Sequence, residues 1–495
     1  MSLPGAFGPT GLRRLTQAEL SSSLLALYGQ DASDLLVNLP AEGSTQIPFD
    51  DDTAAQSVST SLIEALSTFA EAYAARVAAA PAPIYALAGC QPQTPTDRPC
   101  FEAIARALGR RAFRRPLTTA EVQGFAGFLA FANEEQRFLS AVEMLIAALI
   151  QHPEHLYRLE PGPDLDAFAV GTRLSFLITG SAPDEPLLAA AEAGMLADPS
   201  ARRAQAQRLL ATPLAAQQWA RFHGQWLGYQ DLSIPGAISA DLRSETEHLV
   251  ARLLSDPTAS WLSLFTSEDT YLTPALAEHY GLPRPAQPSW VRYPAERGGG
   301  ILSQGALLAL GSKFGDTSPT LRGVKIFDRV LCGTLGSPPP DVDTDNPPPG
   351  PAGACKPDLY YMRRDPGCQG CHARTDNIGF GLENFSATGQ WRTTEVGRPN
   401  CVIDGRGRVL EQDFVGPRQL GAILAAAPEV GRCATTQLFR YLVGRPENSA
   451  DAGTLAALYA QLQLTPRLPD LLLKLVESPG LRASTIPIVS RSQAS

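Results

Sequence analysis

Five consecutive residues carry the clearest chemistry in this chain: Cys368, Gln369, Gly370, Cys371 and His372. In Cys-x-x-Cys-His, two thiols can add across the vinyl groups of a haem while the adjacent imidazole reaches the iron, so porphyrin geometry dictates both spacing and order. A chain of 495 residues with 8 cysteines and 6 histidines should contain such a pentad by chance only about 0.002 times. The rivals fit less well. A zinc site needs two more ligands, and neighbouring Cys371 and His372 rarely point at one ion. A thioredoxin-like dithiol needs a helix start inside a βαβ unit, and no such pattern surrounds residue 368. The expectation is one haem c with its iron, linked to Cys368 and Cys371, with His372 as proximal ligand and redox chemistry performed outside the cytoplasm.

The sixth iron ligand is open at this level. Met362 lies six residues before Cys368, and six extended residues span about 20 Å, enough to reach the other face of the haem. A Met ligand would raise the reduction potential; the alternative is that Met362 packs, as most methionines do. His152, His155 and His223 are rivals, each better read as a capped or surface histidine. An iron left open on that side is the third alternative. Asn384, Trp391 and Arg392, close in sequence to the motif, are candidates for propionate or porphyrin contacts. No Ser-His-Asp or paired-carboxylate arrangement stands out.

The elements that must position these residues are mostly helical. Apolar residues recur at helical spacing in Leu12 to Tyr28, Ala54 to Ala80, Phe101 to Phe113, Thr119 to Phe131, Phe138 to Ile150 and Ala167 to Thr179. Residues 9 to 332 therefore read almost wholly as helix, and Thr118 to Glu121 has the form of a capping box. Pro319 to Leu331 reads as one further helix. From Gly333 to Ala354 seven prolines in an Asp/Gly background make a stiff linker. Its Asp341, Asp343, Asp345 and Asn346 imitate the start of a calcium loop but lack the required Gly and distal Glu. Cys401 to Val409 reads as a hairpin turning at Asp404-Gly405, and helical periodicity returns after residue 416.

Six cysteines remain outside the motif, and 15 pairings are open to them. Cys90 with Cys100 is favoured because the loop between them is short and turn-rich. A net charge of -9 argues against nucleic acid, since phosphate neutralisation needs a surplus of Lys and Arg. No run of 18 apolar residues could span a bilayer. Met1 to Gly11 lacks the basic and apolar regions of a secretory signal. That start agrees with the haem motif if a signal or lipoprotein leader, with any lipid anchor, has been removed.

At these residues the chain resembles a known family, the large bacterial c-type cytochromes of the planctomycete-cytochrome type, assembled from tandem domains of unknown function. The resemblance spans nearly the whole chain. It rests on Arg13 to Leu20, Arg110 to Thr118, Arg173 to Leu177, Pro183-Asp184, Gln225-Trp226-Leu227, Arg297 to Leu302, Thr317 to Gly323, Asp365 to His372, Asp376 to Phe385 and Gly389 to Arg392. The chain departs from the family in carrying Met362 where His is frequent and Asn377 where Pro is frequent. Arg110, Arg111, Arg114 and Arg115 could clamp propionates, although an ion-paired helix face is the simpler reading. Trp226 and Phe222 read as core.

The expected architecture is mainly α and multi-domain, with helical units, a small cytochrome-c-like haem unit and a C-terminal helical cap. Its boundaries are 9–85, 90–160, 164–295, 296–415 with the linker at 333–354, and 416–485. The expected function is electron transfer by a c-type cytochrome in the periplasm or another extracytoplasmic site, including association with the outer membrane. The alternative is a haem enzyme, peroxidase or oxygenase, with a substrate pocket built by the helical domains. The partner is accordingly a redox protein or a small-molecule substrate.

Overall fold

The computed structural model describes residues 12–160, 164–230, 237–313, 315–340 and 348–483, with 232, 234 and 342. The stretch read for a leader, residues 1–11, and the calcium-like Asp341, Asp343, Asp345 and Asn346 lie outside them. The chain is mainly α and multi-domain. Among the described residues the strands form only two-stranded sheets. Two compact units result: 1–218 with 439–457 and 472–495, and 219–438 with 458–471. No helix of the described residues is long and apolar enough to cross a membrane.

In the first unit, local chemistry sets the helix starts. Thr16 accepts from the Glu19 amide at 3.2 Å while the Glu19 carboxylate accepts from the Thr16 amide at 3.0 Å. This reciprocal cap starts the helix at Gln17. The helix expected from Leu12 therefore begins later, and Arg13–Arg14 instead pairs antiparallel with Tyr157–Arg158. Thr118 and Glu121 form the expected second capping box. The helices Thr60–Ala78 and Arg98–Ala112 pack against Phe138–Gln151. Their apolar faces bury Phe69, Tyr73, Phe101, Ile104, Leu145 and Ile146 in one core. Cys90 and Cys100 are joined, as the short loop suggested.

The almost wholly helical reading of residues 9 to 332 needs correction in the second unit. Asp269–Leu272 and Ser289–Arg292 form a hairpin, and Asp269–Leu272 buries alternate residues with period two rather than 3.6. The hairpin packs on the helix Ile238–Ser255. There the buried Glu245 accepts hydrogen bonds from Thr270 at 2.6 Å, Tyr280 at 2.7 Å and Tyr293. Pro319 to Leu331 is also not one helix: Pro319–Lys325 is followed by a wider π turn, Ile326–Val330, closed by Leu331 N–H on the Ile326 carbonyl at 3.1 Å.

A second correction concerns Cys401 to Val409. Arg398–Val402 pairs back onto Thr394–Glu395, and Arg406–Val409 pairs forward with Gln412–Val415. The Asp404 side chain accepts from the Arg406 amide at 3.0 Å, so Asp404-Gly405 joins two hairpins instead of closing one. The forward turn is made by Leu410 and Glu411, both at positive φ, the backbone a two-residue hairpin demands whatever the residue type. The Pro-rich segment carries no helix or strand among its described residues. It is tied at both ends, Cys332 to Cys433 and Cys355 to Cys401.

Candidate haem-binding site

The motif lies at the start of the helix Gln369–Phe380. Asp365 sets that start, its side chain accepting from the Gly367 amide at 2.8 Å and its carbonyl from the Cys368 and Gln369 amides. Cys368, Cys371 and His372 are therefore three and four residues apart on helical backbone, which places both thiols and the imidazole on one face. Cys368 is half-buried and Cys371 exposed, and they are the free thiols of the chain, since the other six cysteines are paired.

His372 Nδ1 lies 3.1 and 3.2 Å from the two carboxylate oxygens of Asp376, one helical turn on. Asp376 is fully buried and also accepts from Thr375 Oγ1 at 3.2 Å. The hydrogen bond to Asp376, with its charge, holds His372 above the ordinary histidine value against the opposing effect of burial. With Nδ1 committed, Nε2 is the nitrogen left to bind a metal. Sequence reasoning did not assign Asp376 a role, although the i, i+4 spacing from His372 was the available signal.

The motif helix is held by a close crossing with Pro319–Lys325. A Cβ on Gly323 would lie 1.7 Å from the Thr375 carbonyl oxygen, and one on Gly379 would lie 1.8 Å from that of Pro319. Backbone faces backbone at both points, so no side-chain rotation could make room. On another side the turn Tyr361–Arg363 packs against the same helix, anchored by the buried Tyr360 ring standing edge-on to Phe380 at 6.0 Å. Met362 is half-buried in that turn.

The residues expected at the porphyrin edge engage the protein itself. Arg392 donates to Asp316 at 3.0 Å and to Glu383 at 3.0 Å. Lys356 Nζ reaches Asp316 and Glu383, both at 2.9 Å, and Arg322 reaches Glu383 at 3.2 Å. Three cations thus share two carboxylates. The Asn384 amide donates to the carbonyls of Arg392 and Ile403, and Trp391 stands edge-on to Phe385 at 5.2 Å. In the first unit Arg110 pairs with Glu185 and Glu192, and Arg115 with Glu121 and Glu154. Arg114 is buried against the carbonyls of His155 and Tyr157. The ion-paired reading of this run therefore describes Arg110 and Arg115.

The rival histidines have other duties. His152 caps a helix, its Nδ1 accepting from the Glu154 amide at 3.1 Å. His155 and His223 are buried rather than surface residues, a correction to the sequence reading. His223 Nδ1 meets the Trp219 carbonyl at 2.7 Å, and Nε2 accepts from the Trp261 indole N–H at 2.9 Å. It stands among the buried rings of Phe222, Trp226 and Trp261. An indole N–H can only donate, so Nε2 must be unprotonated.

Burial lowers both His155 and His223 to about 4. Below the ordinary histidine value of about 6.5 the unfolded chain takes up a proton that the folded chain refuses, so this stability is complete above pH ~6.5 and drains towards pH ~4. His223 alone should account for about 3 kcal/mol over that window. Urea unfolding followed by tryptophan fluorescence at pH 7.5 and 4.5 should show the loss, with His223→Gln showing a flatter pH dependence. Equal slopes in the two proteins would contradict it.

Fold and site define a class: a mainly helical, multi-domain protein with two thiols and a carboxylate-held imidazole on one helix. Five domain families match it in tandem, each described as a protein of unknown function. They are DUF1587 at 13–79, DUF1595 at 100–160, DUF1592 at 165–282, DUF1588 at 297–395 and DUF1585 at 411–481. The chain belongs to the planctomycete cytochrome-type family built from these five tandem domains. No match to it is found among curated proteins or among solved structures.

Proposed function

We propose that the chain is a c-type cytochrome that carries one haem, joined by thioethers to Cys368 and Cys371, and transfers electrons outside the cytoplasm. The observation that carries this reading is the donor set. The free thiols are those of the motif, on one helix face with His372, whose Nδ1 is held by Asp376 so that Nε2 remains for iron. A bound haem would supply the one-electron iron couple. The chain's own residues hold and orient the His372 imidazole, which would bind the iron, and fix the helix that presents the thiols. Three disulfides support a compartment outside the reducing cytosol. Met362, on the turn packed against the motif helix, is assigned as the sixth ligand. Asn384, Trp391 and Arg392 are assigned to the wall of the haem site, Arg392 through the ion network, Asn384 through the Arg392 and Ile403 carbonyls and Trp391 through its contact with Phe385.

Spectra of protein matured in a host that attaches haem c test this function. Low-spin, six-coordinate iron inert to carbon monoxide and peroxide is expected, and Met362→Ala should admit carbon monoxide or cyanide. An unchanged spectrum in that variant removes Met362 from the iron. High-spin iron in the unaltered protein that binds carbon monoxide and turns over peroxide replaces the carrier with the haem enzyme.

A further inference from the structure

Asp376 has features that a purely structural acid in a helix would not need. Its side chain is fully buried in the second turn of the motif helix, and both carboxylate oxygens face His372 Nδ1. It also accepts from the Thr375 hydroxyl, and no Lys or Arg bridges to it among the ion pairs of the described residues. The charge of Asp376 is therefore directed at the imidazole. A buried carboxylate is expensive without a charged or strongly donating partner. An imidazole that binds a metal through Nε2 while its Nδ1–H points at a carboxylate is such a partner, because the carboxylate draws the proton and makes the ring a stronger electron donor.

We propose that Asp376 is a positioning residue that tunes the iron couple. It fixes the His372 tautomer and ring orientation and, through its negative charge, strengthens His372 as a donor, favouring the ferric state and lowering the reduction potential. The inference rests on the haem reading above and adds to it. Met362 and Asp376 then act in opposition, the thioether pulling the potential up and the carboxylate-held imidazole pulling it down. The potential would then be set by two of the chain's own residues, Met362 as a ligand and Asp376 through His372.

The test begins with a pyridine haemochrome assay of the unaltered protein. Absence of covalent haem there overturns the function proposed above, and this inference with it. With haem present, spectroelectrochemical titration compares the unaltered protein with Asp376→Asn, which keeps shape and removes charge, and with Asp376→Glu, which keeps the charge. Asp376→Asn should raise the ferrous-to-ferric ratio at fixed potential at least tenfold, an upward shift of about 59 mV or more for a one-electron couple. Asp376→Glu should stay closer to the unaltered value. Equal potentials in the unaltered and Asn proteins overturn the proposal. Should the Asn variant fail to assemble, resonance Raman of the ferrous Met362→Ala protein, which retains Asp376, after carbon monoxide photolysis decides. An iron–imidazole stretch in the range of a carboxylate-bonded ring supports the proposal, and one in the range of a neutral, carbonyl-bonded ring overturns it.

Discussion

Replacing Cys368 and Cys371 together by alanine is expected to give a folded chain from which all haem is lost on acid-acetone extraction, whereas the unaltered protein keeps its haem through denaturation. The effect should be complete rather than graded, because two covalent bonds are removed and the ligand bonds from His372 and Met362 that remain are exchangeable. Folding should survive, since Cys371 is exposed, Cys368 is half-buried, and alanine is the best helix former at the start of Gln369–Phe380. Either single variant should retain one thioether and shift the pyridine haemochrome band. The measurement is in-gel haem staining under denaturing conditions beside circular dichroism. Haem that stays attached in the double variant would place the linkage elsewhere and end the reading.

The second large effect concerns stability. Glu383→Gln should cost about 3–5 kcal/mol, the range for removing one partner from a buried ion pair. Glu383 is 3% exposed and receives Arg322, Lys356, Arg392 and the Thr317 hydroxyl. Without its charge three cations face Asp316 alone. The damage should reach the site, because Arg322 lies on the helix crossed so tightly by the motif helix at Gly323 and Gly379. Denaturant midpoints measure the cost, and Glu383→Gln with Lys356→Met should regain part of it by removing an uncompensated cation. A loss below about 1 kcal/mol would reduce the network to the worth of a surface ion pair.

The same network has an acid limit. Burial alone would raise the Asp316 carboxyl, but hydrogen bonds and charge from Lys356, with Arg392, hold it well below the ordinary carboxylate range. A depressed carboxyl stabilises the fold above its unfolded value of about 3.9 and ceases to do so as pH falls through the folded value. This contribution therefore persists after those of His155 and His223 have been lost.

What could be read along the chain and what could not divide by the range of the physics. Cys368 to His372 could be read as a candidate haem site because thioether attachment, on which the proposed function rests, is a local constraint: it asks for two thiols and an imidazole at one spacing, and no distant residue alters that spacing. The helix Ala167–Thr179 was legible with those bounds because a 3.6-residue period and an Asp166 cap are local too. Cys90 with Cys100 was legible because ten residues of turn-rich chain bring the thiols together with little entropy to overcome.

Cys332 with Cys433 is one of many pairings across 101 residues, and local chemistry does not distinguish it. The Asp404-Gly405 signal was real as a turn, but neighbouring strands took other partners, because pairing is decided by which strand edges the packing brings together. Asp316, Lys356 and Glu383 look like ordinary surface charges in sequence, and Arg392 reads there as a candidate propionate or porphyrin contact. They become a network only where the crossing of Pro319–Lys325 with Gln369–Phe380 removes water from between them, since charges exert their full pull, and carry their full cost, once desolvated. Asp376 stands between the two cases: its spacing from His372 is written in the helix, and its burial is made by the tertiary fold.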